Sequence, residues 1–96
     1  MKLSNNIGNS IEEVVDRINE AGNDSVPETE IGAYAFAFSK AQLAGQYAAE
    51  AAYESGFNDD ETLEAHLEFL RESGAQFPHA EAMERGRSVI EFLRSE

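Results

Sequence analysis

Apolar positions recur at helical spacing along most of the chain. Ile11, Val14, Val15 and Ile18 fall at i, i+3, i+4 and i+7, and Ala21 closes the stripe. The spacing predicts a helix over 11–21. Ser10 would be its N-cap, with Glu13 completing a capping box, and Glu12, Glu13, Asp16, Arg17, Asn19 and Glu20 take the wet face. Gly22 ends it and Asn23-Asp24-Ser25 reads as a turn. The first nine residues are polar apart from Leu3 and Ile7 and read as a loose arm, which leaves 10–96 as one domain.

A second helix is predicted over 28–55, from Pro27 at its start to Gly56 as its C-terminal stop. Glu28 and Glu30 sit at the positive end of its dipole. Between Ala33 and Phe38 it is apolar all round, which predicts a central position. Tyr34, Phe36 and Phe38 also alternate with alanines in a strand period. Helix is preferred, because Ala is depleted in strands and nine alanines lie between Pro27 and Ser55. Ala37, Ala41, Gly45, Ala48 and Ala52 form a ridge of small side chains that invites another backbone close. Close packing within one domain is the favoured use of this ridge; self-association through it is the alternative.

Asn58, as N-cap with Glu61 three residues on, predicts a third helix over 59–73, with Leu63, Leu67 and Leu70 inward, Phe69 flanking and Gly74 at its end. Phe77-Pro78 opens a fourth over 79–95 with Pro at its first turn; its apolar face holds Met83, Val89, Ile90, Phe92 and Leu93. Gly86 on that face marks a close helix crossing, because an interior Gly otherwise costs about 1 kcal/mol against Ala. The fold class is therefore all-α: a compact bundle of about four helices around a long Ala-rich second helix.

Candidate chemistry is sparse. The chain has no Cys, which removes disulfides, thiolate metal sites and a Cys nucleophile. His66 and His79 have Leu63 and Gln76 three residues before them, so neither makes a Glu-x-x-His metal motif, and boundary packing or exposure is the preferred account of both. No G-x-S-x-G or Gly-rich phosphate loop occurs. A chain of 96 residues is expected to have little room for a substrate cavity of about 300 Å³. The expectation is a protein that is not an enzyme and holds no metal or cofactor. No apolar run approaches the roughly 18 residues of a membrane span and the N-terminus has no signal-peptide core, so a cytoplasmic protein is expected. Few large apolar residues for 96 to be ordered predict a homodimer, which would add buried area.

Charge changes the picture most. The formal net charge is −12, which argues against direct binding of nucleic acid or an anionic membrane. The third helix carries Asp59, Asp60, Glu61, Glu64, Glu68 and Glu72 against a single Arg71. Glu61, Glu64, Glu68 and Glu72 share one face, where neighbouring like charges cost a few tenths of a kcal/mol per pair. The fourth helix instead alternates sign at helical spacing in Glu81/Arg85, Glu84/Arg87, Arg87/Glu91 and Glu91/Arg94, as a merely solvated face does. A solvated face and adaptation to high salt are alternative accounts of the acidic row. Docking is the one that gives it work: carboxylates along a rigid helix imitate the phosphates of a nucleic acid and are drawn to a basic groove. In composition the chain resembles the small, Cys-free, acidic proteins of phages and mobile elements, among them anti-CRISPR and anti-restriction proteins. That resemblance implies an inhibitor of nucleic-acid-handling machinery and carries over no residue roles. The expected partner is a protein with a basic surface. The alternative function is a self-associating helical regulatory or structural subunit using the ridge.

Overall fold

A computed structural model describes residues 11–23, 30–57 and 59–95. Four helices make up the described chain: α1 (Ile11–Glu20), α2 (Glu30–Ser55), α3 (Asp60–Glu72) and α4 (His79–Arg94). The arm over 1–9, the Ser10 cap, the Pro27 start and Asn58 lie outside the described residues.

At 1.5 Å per residue the 26 residues of α2 span about 39 Å, close to the 41 Å long axis of the molecule. The other three helices all pack on α2, and α3 also packs on α4. The radius of gyration is 13.0 Å, that of a compact chain of roughly this length. α1 buries Val14, Val15 and Ile18, and α3 buries Leu63, Leu67 and Leu70, as their stripes predict. α4 buries Ala82, Met83, Gly86 and Ile90. The largest side chains wholly out of water are Ile18, Leu63, Leu67 and Val14. The rest of the core is largely alanine, with Ala41, Ala44, Ala48, Ala49 and Ala52 of α2 all buried.

Helix ends follow the glycines. Gly22, Gly56 and Gly74 all have positive φ, a conformation glycine adopts without a Cβ penalty. α3 closes in a Schellman motif: the Ala75 N–H donates to the Leu70 carbonyl at 3.0 Å and the Gly74 N–H to that of Arg71 at 3.0 Å. Ala75 is buried, which supplies the motif's apolar contact.

Several sequence expectations need correction. Asp59, not Asn58, is the N-cap of α3; its carboxylate accepts from the Thr62 N–H at 2.8 Å. Pro78 occupies the N-cap position of α4 rather than its first turn. The opening part of α2 is not central: Tyr34 and Phe38 are exposed there and stack on each other with ring centroids 5.4 Å apart. Phe92 is exposed, although its spacing placed it on the buried face of α4. Arg85 and Arg87 are not simply solvated. Arg85 is half-buried, with its Nη2 3.5 Å from Gln46 Oε1 and its buried Nε without a hydrogen-bond partner among the described residues. Arg87 reaches across to Asp60 of α3 at 3.0 Å.

The small-residue ridge lies within the chain's own packing. Ala41, Gly45, Ala48 and Ala52 are buried in the single chain, and Ala37 is half-buried. A Cβ on Gly45 would stand 2.5 Å from the Ala82 carbonyl oxygen and 2.9 Å from Arg85 Cβ, so α4 fills the notch at Gly45. A second copy could reach those four buried positions only by displacing what covers them. Gly86 marks the close crossing its position implied: a Cβ there would stand 2.7 Å from both Cδ atoms of the fully buried Leu63.

Two polar side chains, Lys40 and Asn19, tie the bundle together. Lys40 is only 6% exposed. Its ammonium donates to the Asn19 carbonyl, to the Ala21 carbonyl at 3.0 Å and to Asn23 Oδ1 at 3.2 Å, and it lies 4.2 Å from the centre of the Phe36 ring. Those carbonyls belong to the C-terminal end of α1, where the helix dipole is negative and peptide oxygens lack intrahelical donors. Burial pushes the Lys40 pKa down, and the surrounding oxygens supply the acceptors a buried ammonium needs. Asn19, expected on the wet face, donates to the Gly74 carbonyl at 3.1 Å and accepts from the Gln76 N–H at 2.8 Å. α1 is thereby fastened to α2 and to the α3–α4 loop.

Candidate functional site

The acidic helix packs on both α2 and α4. Its Leu63, Leu67 and Leu70 face inward, so Glu61, Glu64, Glu68 and Glu72 must face out, and all four are exposed. The six carboxylates singled out in the sequence separate into two groups. Asp59 works as a cap, and the Thr62 N–H, with a smaller contribution from Arg94, lowers its pKa. Asp60 is paired with Arg87. Glu64 Oε2 lies 3.5 Å from His79 Nε2, a pair that is ionic only when the imidazole is protonated. Glu61, Glu68 and Glu72 pair with no cation among the described residues.

The described cations are occupied elsewhere. Arg17 donates to the Tyr47 hydroxyl, Lys40 caps α1, and Arg85 lies against Gln46. Arg71, the one Lys or Arg on α3, turns from the carboxylate row toward the next loop. Its guanidinium donates to the Phe77 carbonyl at 3.5 Å and covers the Phe77 ring at 5.0 Å.

Beside the row runs a feature that the spacing of apolar residues does not reveal. An apolar groove of about 390 Å³ is lined by Ile11, Tyr47, Ala48, Ala51, Ala65, His66, Phe69 and Leu70. The expectation of no cavity near 300 Å³ is thus corrected. Three of its lining residues, Ala48 and Ala51 on α2 and Ala65 on α3, offer only a methyl group each and leave space that larger side chains would fill. Phe69 stands at the groove 53% exposed. At 3.6 residues per turn, Ala65 and Phe69 lie between the Glu61/Glu68/Glu72 row and inward-facing Leu70, so the carboxylates border the groove on one side.

His66 in the groove wall is half-buried, and burial lowers its pKa. The folded chain therefore binds fewer protons there than the unfolded chain, and this contribution to stability falls as pH drops through the unfolded value near 6.5. Chemical denaturation of the parent and of His66→Asn should show the parent losing stability relative to the variant below about pH 6.5. Parallel pH curves would show that burial of His66 has no such effect. Glu50, also buried on α2, has the opposite sign: burial raises its pKa, with Gln46 partly offsetting by hydrogen bonding. Its contribution is lost as pH rises past the unfolded glutamate range.

Among the described residues no three His, Asp or Glu side chains converge as metal ligands, and His66 and His79 take separate positions. No helix among the described residues is long and apolar enough to cross a membrane. No protein-family model, curated protein or solved structure matches the chain.

Proposed function

We propose that this chain is a non-enzymatic binding protein that docks its acidic α3 face on a basic partner, and that the partner is a protein or complex that handles nucleic acid. The observation that carries the reading is the state of Glu61, Glu68 and Glu72. They stand exposed on a helix packed against α2 and α4, and among the described residues no cation answers them, while Arg17, Lys40, Arg71, Arg85 and Arg87 are engaged elsewhere. A face that served only solvation would gain by turning Arg71 back into the row; here Arg71 serves the loop. Docking by this face would block the partner's phosphate-binding surface and act in the same compartment, the cytoplasm. Self-association through the ridge has less support, because α4 packs into the ridge at Gly45. The expected homodimer needs another surface, and light scattering decides whether one exists.

The test is a triple substitution, Glu61→Gln, Glu68→Gln and Glu72→Gln. Relief of repulsion on an exposed face should leave stability unchanged or raise it by a few tenths of a kcal/mol. Basic nucleic-acid-handling proteins captured from a host lysate by the parent should be lost with the variant, since charge pairs at such interfaces couple by about 1.5 kcal/mol or more. The same proteins retained equally by both would leave the row a solvated face.

A further inference from the structure

We infer that the groove beside α3 receives the apolar face of a basic amphipathic helix from the partner, so that recognition joins a hydrophobic anchor to the carboxylate row. The inference rests on the acidic-face reading and adds to it the chemistry of the segment bound.

The groove is apolar, open to solvent and about 390 Å³, within the range that accepts a few large side chains. Its lining includes the exposed Phe69 of α3 and the alanines Ala48 and Ala51 of α2. Exposed aromatic rings lining a hydrophobic groove suit the anchors of a docked helix at i, i+3 or i+4, and i+7. Charge selects the occupant. Glu68 adjoins Phe69 in sequence, and Glu72 follows it one turn later on the same exposed side. A second copy docking groove to groove would bring like carboxylate rows together in a molecule of net charge −12, which opposes association. An acidic or neutral helix would leave Glu68 and Glu72 without partners, and a helix with Lys or Arg flanking its apolar stripe supplies them. Desolvation of Phe69 supplies salt-insensitive affinity, and the carboxylates supply rate, orientation and selectivity.

The probe is a pair of fluorescent peptides of about eighteen residues, both rich in Lys and Ala. One carries leucines at helical spacing; the other carries Gln at those places and the same charge. Anisotropy is read on the full chain at about 0.15 M salt. The leucine peptide should bind at least about tenfold tighter than its control, and this preference should vanish in Phe69→Ala and in Ala51→Phe, which fills the groove from the α2 side. The triple Gln variant of the proposed docking face should weaken both peptides. If both peptides bind the parent equally and both weaken with the triple variant, the groove inference fails and the acidic-face reading stands. If the leucine preference persists but the triple variant weakens neither peptide, the charge basis of both is overturned. A dimer that Phe69→Ala dissolves, with no preference between peptides, would assign the groove to a second copy and overturn the inference.

Discussion

Gly45→Ala should destabilise the protein by about 2 kcal/mol, and Gly45→Leu should prevent α4 from docking. On a free helix surface Gly→Ala is stabilising by about 1 kcal/mol, because Ala is the better helix former. Here the added carbon would stand 2.5 Å from a backbone oxygen of α4 and 2.9 Å from Arg85 Cβ, so α4 must move as a body. Overpacking of that kind costs about 1–3 kcal/mol beyond the propensity gain. For a chain of this size, 2 kcal/mol corresponds to a fall in Tm of roughly 8–16 °C. The sign is what discriminates. If Gly45 instead met a second copy, Gly45→Leu would raise the monomer fraction while each chain kept its circular dichroism and cooperative melting. With Gly45 seated against α4 of its own chain, melting of Gly45→Leu should broaden at any concentration.

Lys40→Met should cost about 2 kcal/mol and loosen α1 before the rest of the bundle. Met keeps the stem against Phe36 but removes the donor to Asn19, Ala21 and Asn23, leaving oxygens at the end of α1 without it. Relief from burying a charge offsets part of the loss. Hydrogen exchange over 11–23 should accelerate well beyond that of α3 and α4, whose caps are independent of Lys40. Uniform acceleration over all four helices would mean that the lysine acts through general packing rather than as the clamp on α1.

Most of the fold can be read from the chain because helical spacing reports directly on which side chains face inward. The stripes of α1 and α3 and the stops at Gly22, Gly56 and Gly74 are local patterns, each settled within a turn or two. The N-cap of α3 falls one residue later than its capping box implies, because Asn58 and Asp59 have similar capping chemistry and only the backbone distinguishes them. Spacing overstates burial for Tyr34, Phe38 and Phe92, since it marks an apolar face without showing whether a neighbour covers it. Lys40 and Asn19 are invisible in the sequence for a related reason: their partners lie 17 to 57 residues away. The ridge signals close approach but not by which helix; Gly45 meets α4. At the candidate site the carboxylate row is legible from charge alone. The groove is not, because periodicity counts apolar positions and not the volume that Ala48, Ala51 and Ala65 fail to fill.

The claim that the α3 face imitates a nucleic acid is tested most directly by competition. The DNA or RNA affinity of a captured basic partner should be measured against increasing concentrations of this chain, in parent form and with Glu61, Glu68 and Glu72 all changed to Gln. Mimicry predicts that the parent raises the partner's apparent Kd for nucleic acid in proportion to its concentration, that added salt relieves the effect, and that the triple variant is at least about tenfold weaker as a competitor. A partner that binds nucleic acid equally well with the parent chain bound to it would contradict mimicry.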